Sequence, residues 1–189
     1  FVSDGDSGEW PKFGGIAGVK VQADVEEVTV SGNEIADHHS AGWVWGVVLT
    51  GSGSHPGIPE DVTVEGNHFS GLNDGSEYDV FAGSESGRGS APYPGSAFGI
   101  DTGASAAEAT VRHNKLLAPN GAESKDGSTT LVAECNWWGS KSGPTHDNNP
   151  GGTGNWALER GSASIDYTPW LIASAPSKAC HGGEHPGKR

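Results

Sequence analysis

One short phrase occurs four times in this chain, each time built round an Asn: Val28 to Ile35 (VTVSGNEI), Val62 to Phe69 (VTVEGNHF), Ala109 to Leu116 (ATVRHNKL) and Leu131 to Gly139 (LVAECNWWG). Superposed, the copies place Asn33, Asn67, Asn114 and Asn136 in one column. Alternating positions precede each Asn, and an apolar residue follows two places later (Ile35, Phe69, Leu116, Trp138). Alternation of this kind reads as strand. The Asn-to-Asn spacings are 34, 47 and 22 residues. The last is close to one turn of a β-solenoid; the others fit one turn with a loop inserted, and 47 is long enough to hide a degenerate turn. Gly18 to Asn33 and Gly99 to Asn114 are both 15 residues, while the Gly46-to-Asn67 interval is longer by six, the room taken by an insert around His55, Pro56 and Pro59. No segment carries a sustained helical period. A β-sandwich explains alternating strands but not a repeated phrase with a fixed Asn.

The column has a physical rationale. Stacked turns repeat at about 4.8 Å, so equivalent residues form ladders. An inward Asn can hydrogen-bond its own turn and the Asn on either side, and it tolerates the left-handed backbone of a sharp corner. Gly32 and Gly66 suit a tight bend, and Val28, Val30, Val62, Val64 and Val111 are placed to stack inward.

Composition narrows the class further. Only 33% of the 189 residues are hydrophobic and 31 are Gly, without a collagen period, which suits a loop-rich all-β design. There is no apolar run long enough to span a membrane. The opening FVSDGDSGEW lacks the basic start and apolar core of a secretory signal, and Met is absent throughout, so the chain reads as a portion of something larger. A net charge of −13 repels nucleic acid and anionic membranes. Such acidity suits a protein of high-salt habitats, or an ordinary acidic extracellular one. Cys135 and Cys180 are the two cysteines. A disulfide between them would staple a chain with little core material; two separate thiols are the alternative.

In chain order, Gly18–Val21, Gly42–Leu49 and Phe98–Asp101 read as further strands, residues 70–97 as a long Gly/Ser-rich excursion, and Pro119–Gly127 as a loop. The expected organisation is one domain over residues 1–172, a cap over 136–172, and a flexible tail over 173–189.

The four phrases resemble the repeats of right-handed parallel β-helix proteins, the broad group that includes pectate-lyase-like folds. The segment from Asn136-Trp137-Trp138-Gly139 through Gly143-Pro144 to Ile165-Asp166-Tyr167-Thr168-Pro169-Trp170-Leu171 resembles the close of β-helix regions in large cell-surface proteins, especially of salt-loving archaea. The resemblance covers roughly residues 17–172. It implies an all-β, right-handed parallel β-helix with an aromatic C-terminal cap drawn from Trp137, Trp138, Trp156, Tyr167, Trp170 and Leu171, and an extracellular or cell-surface location. It carries no activity of its own.

The expected function is a structural or adhesive module contacting surface glycans or other copies of a surface protein; a polysaccharide lyase or glycoside hydrolase is the alternative. Candidate catalytic residues are Asp101 and Arg112, with Glu65, His68, His113 and Glu134 nearby in the stacked phrases. The chain shows no Asp pair at a glycosidase spacing. Trp43 and Trp45, alternate on one strand, could stack on sugar rings or pack beneath the 70–97 excursion. Asp4, Asp6 and Glu9 offer oxygens for calcium but lack the full calcium-loop spacing, so a solvated acidic turn fits them too. His38, His39, His55 and His68 could bind zinc or copper; a related β-helix family serves copper-site maturation. No cofactor is required, and calcium is the one considered.

Overall fold

The alternation before each Asn becomes a short strand, and the apolar residue after it opens another. A computed structural model describes residues 2–3, 15–22, 25–37, 43–50, 59–71, 97–101, 109–125, 130–174 and 180. One sheet holds, in spatial order, β1 (Val2–Ser3), β2 (Gly15–Gln22), β5 (Trp43–Thr50), β8 (Ala97–Asp101), β11 (Asn120–Lys125), β14 (Gly154–Arg160) and β13 (Pro144–Thr145). A second holds β15 (Ser164–Asp166), β12 (Thr130–Val132), β9 (Ala109–Arg112), β6 (Val62–Glu65) and β3 (Thr29–Ser31). The third holds β10 (Lys115–Leu116), β7 (His68–Ser70) and β4 (Glu34–Ala36). The chain is all-β, with no helix among the described residues and so none long and apolar enough to cross a membrane. β1 runs antiparallel to β2, and the other strand pairs are parallel. Apart from β13 beside β14, each parallel partner lies three strands on in the chain.

The three sheets share one interior. At the positions five and three before Asn, Val30, Val62, Val64, Ala109, Val111, Leu131 and Ala133 are at most 6% exposed, and Val28 packs against them partly buried. Two places after each Asn, Ile35, Phe69, Leu116 and Trp138 are also buried. Val21, Val47, Leu49, Ala122 and Ala157 face them from the seven-stranded sheet. Full burial of a Val or Leu side chain contributes about 1.5–3 kcal/mol relative to exposure. The recurrent glycines of that sheet mark close approaches to the apolar column: a Cβ on Gly18 would come within 2.7 Å of Ile35, and one on Gly121 within 2.9 Å of the Trp138 ring. Gly121 stands as far before Asn136 as Gly18 does before Asn33.

The 47-residue interval hides no extra turn. β6 pairs directly with β9, β7 with β10 and β5 with β8, and Asn67 bonds directly to Asn114. Residues 72–96, most of the predicted excursion, lie outside the described residues, and its two ends belong to β7 and β8. The predicted loop Pro119–Gly127 is corrected: Asn120–Lys125 is strand β11, held between β8 and β14. Its sequence has little β-propensity, but pairing on both sides overrides that. The corner is corrected too. The left-handed residue is not the Asn but the one before it: Gly32 (φ 67°), Gly66 (φ 68°), His113 (φ 56°) and Cys135 (φ 59°).

The closing segment lies over the last phrase as a further strand would. β15 pairs with β12. The Ala133 N–H donates to Asp166 O, Cys135 N–H to Pro169 O, and Leu171 N–H to Asn136 O. Trp138, Tyr167, Trp170 and Leu171 are buried there. Trp137 is half-buried, and Trp156 departs from the expected cap, packing with Trp45 and Leu158 in a separate cluster. Cys135 and Cys180 form a disulfide, Cα to Cα 5.3 Å. Residue 180 is thereby tied to the cap, while 175–179 and 181–189 lie outside the described residues.

Tyr167 gives the cap a pH dependence. Burial, then the Glu159 and Asp166 carboxylates, raise its phenol above the ordinary 10.0. The fold therefore favours the neutral form. That contribution is complete below the unfolded value and is lost as pH rises through the folded one. As pH rises through and above the ordinary phenol value of 10.0, wild type should lose melting temperature more steeply than Tyr167→Phe. Parallel curves would remove the phenol from the account.

Candidate functional site

The repeat brings together first of all the four asparagines. The Asn33 N–H and Nδ2–H both donate to Asn67 Oδ1, each at 2.9 Å. Asn67 does the same to Asn114 Oδ1 (2.9 and 3.1 Å), and Asn114 to Asn136 Oδ1 (2.9 and 3.0 Å). The second Nδ2 proton goes to a backbone carbonyl: Val30 O for Asn67 and Val64 O for Asn114. Asn136 donates to Val111 O and to Ala133 O. Asn67, Asn114 and Asn136 are at most 1% exposed, whereas Asn33 is exposed. The ladder is thus polar along its length and ends against the cap.

Register across β6 and β9 sets Glu65 beside Arg112, and Arg112 Nε lies 2.6 Å from Glu65 Oε2. Their side chains are 50% and 40% exposed, so solvent limits the pair to less than about 1 kcal/mol. His68 sits half-buried on β7, His113 at the left-handed corner, and Glu134 half-buried two places before Asn136. These four elements share a neighbourhood without converging on one point.

Asp101 ends β8, away from that neighbourhood. Its register partners are Val48 and Glu123. Glu123 is wholly buried and paired with Arg160 of β14. The sequence reading missed this carboxylate, because Asn120–Lys125 reads as a loop. Strand pairing sets the Asp101 and Glu123 backbones about 4.8 Å apart. Trp45 is half-buried near Leu158 and Trp156. The Trp43 side chain lies outside what is described, as do Asp4, Asp6, Glu9, His38, His39 and His55. Among the described residues, no three His, Cys, Asp or Glu side chains gather as a metal site.

A second cluster unforeseen in the sequence lies within the cap. The Asn148 N–H donates to His146 Nδ1 at 3.0 Å, which leaves the ring proton on Nε2, 3.5 Å from Glu159 Oε2. Glu159 Oε1 accepts the Ile165 N–H at 2.8 Å, and the Tyr167 ring lies 4.9 Å from the imidazole. Each polar group here is engaged in holding β14, β15 and the intervening turn.

On the outer face of the five-stranded sheet lies a shallow groove of about 380 Å³, walled by Asp61, Thr63, Thr110, Thr130 and Val132 over Val62 and Ala109. Its volume falls in the range of small-molecule sites, about 300–1,000 Å³. It faces solvent, and its described lining residues include no cation.

Comparison with known proteins adds no identity: no family model, no curated protein and no solved structure matches this chain.

Proposed function

We propose that the three parallel sheets wind as a right-handed parallel β-helix and that the chain is a structural or adhesive module of an extracellular or cell-surface protein, contacting glycans. The observation that carries this reading is the hydrogen-bonded Asn ladder across four successive phrases. Such a ladder satisfies inward backbone groups at each corner of stacked turns. The disulfide suits an oxidising compartment, and an acidic surface suits solubility in high salt. Arg112, a candidate base, is engaged with Glu65 at the surface. The resemblance of the closing segment to archaeal surface proteins belongs to the same proposal.

A specific observation favours the second reading, a polysaccharide lyase or hydrolase: the register that sets Asp101 beside Glu123. Glu123 itself is wholly buried and paired with Arg160, so Asp101 is the residue on which this reading rests. Incubating the protein with a glycan panel separates the two. Binding with no release of reducing or unsaturated ends over days supports the adhesive module. Release that disappears in Asp101→Asn supports the enzyme.

A further inference from the structure

We propose that the groove on the outer face of the five-stranded sheet is a binding site for a neutral saccharide. This rests on the glycan-contact reading above and moves the contact away from the Trp43–Trp45 strand.

The groove follows from local pairing. β6 and β9 share four register pairs and β12 and β15 share three, but among the described residues β12 meets β9 only at Val132 and Thr110. Thr130 instead leans to the far side, where its hydroxyl lies 2.7 Å from the Ser164 hydroxyl. The groove is lined from β6, β9 and β12. Its floor, Val62 and Ala109, is 1% and 4% exposed, so the surface offered to a ligand is the residues between them.

Those residues have the chemistry of sugar recognition. Thr63 and Thr110 are register partners, so their hydroxyls stand one strand apart, about 4.8 Å. Neither hydroxyl has a hydrogen-bond partner among the described residues. A linear saccharide lying across the strands would meet one hydroxyl per strand, each able to donate and accept. Asp61, exposed at the rim, can accept from neighbouring sugar hydroxyls, a charge-assisted contact. Val132, 37% exposed, offers an apolar surface to the C–H face of a ring.

The same features exclude other ligands. Asp61, the lack of a cation among the described lining residues and the net charge of −13 oppose phosphate, sulfate and uronate groups. An open groove with no aromatic side chain among its described lining residues gives a flat apolar cofactor little to bury against.

The test is an amide NMR titration of the full chain with neutral gluco-, galacto-, manno- and xylo-oligosaccharides. At least one series should shift the Thr63, Thr110 and Val132 amides saturably. Thr63→Val with Thr110→Val keeps side-chain shape and should weaken binding about tenfold or more. Asp61→Asn is a second variant: Asn accepts the left-handed backbone found at Asp61 (φ 50°), so the fold holds while the charge is lost. It too should weaken binding. Absence of groove shifts with every series overturns the proposal. So do shifts confined to the Trp45 strand, or affinity unchanged in all variants, though both leave an adhesive module standing. Saccharide cleavage accompanying intact groove shifts supports the site and overturns the non-catalytic reading instead.

Discussion

Asn114→Ala should destabilise the fold by about 4 kcal/mol in urea denaturation, while Asn33→Ala should cost less than about 1 kcal/mol. The difference comes from where each stands in one ladder. Asn114 is fully buried, and its side chain takes part in four hydrogen bonds. Truncation leaves the Asn67 N–H and one Asn67 Nδ2–H without partners, both buried, and removes one of the bonds to the Val64 carbonyl, which the pairing of β6 with β9 still engages. Such orphaned groups cost roughly 1–3 kcal/mol apiece before relaxation. Asn136 Oδ1 keeps the Asn114 N–H, so the damage runs toward the first phrase and not toward the cap. Asn33 is exposed, and Asn67 Oδ1 would keep its backbone N–H.

Asn114→Asp separates hydrogen bonding from shape. The carboxylate fills the same volume but sets an acceptor against Val64 O and Asn136 Oδ1, where Nδ2 donates. The fold then favours the protonated acid, which restores one donor. Stability should therefore recover as pH falls and be lost as pH rises through the raised folded value. Equal stability of the Ala, Asp and wild-type chains would mean that the ladder does not hold the corners.

The ladder is legible in the sequence because its members recur with the same neighbours: alternating apolar positions before the Asn and a large apolar residue after it. The all-β class follows from the same recurrence. Other features are set by contacts between distant segments, which leave little local trace. A left-handed corner is readable from Gly32 and Gly66, but at His113 and Cys135 the stacked phrase imposes it on side-chain-bearing residues, for which it is uncommon. β11 is a strand because β8 and β14 flank it. Once it is a strand, Glu123 is buried and Arg160 becomes its partner. The groove is lined from β6, β9 and β12, a property of no single segment. The cap is legible as an aromatic lid, yet its hydrogen bonding through Asp166, Pro169 and the Leu171 amide is not set by residue types.

Cys180→Ser should lower stability by about 4 kcal/mol, the loop-closure entropy of a bridge spanning 45 residues. The closed segment contains the whole lid over the last phrase, including Trp138, Tyr167 and Trp170. Without the bridge the unfolded chain gains freedom mainly there, so the lid should open before the ladder does. Hydrogen exchange tests this directly. The Leu171 N–H, which donates to Asn136 O, should exchange faster in the variant, and the Lys115 N–H, which donates to Asn67 O, should change less. Cys135→Gly makes the comparison sharper. It removes the same bridge but places glycine at a left-handed corner (φ 59°), a conformation that costs an ordinary residue roughly 1–2 kcal/mol. It should therefore be more stable than Cys180→Ser by about 1 kcal/mol. Reduction of the wild type should match Cys180→Ser and not Cys135→Gly, since it leaves Cys135 at its strained corner. A midpoint unmoved by reductant would show that the cap closes the last phrase without the bridge, through Trp138, Trp170 and the strand pairing of β15 alone.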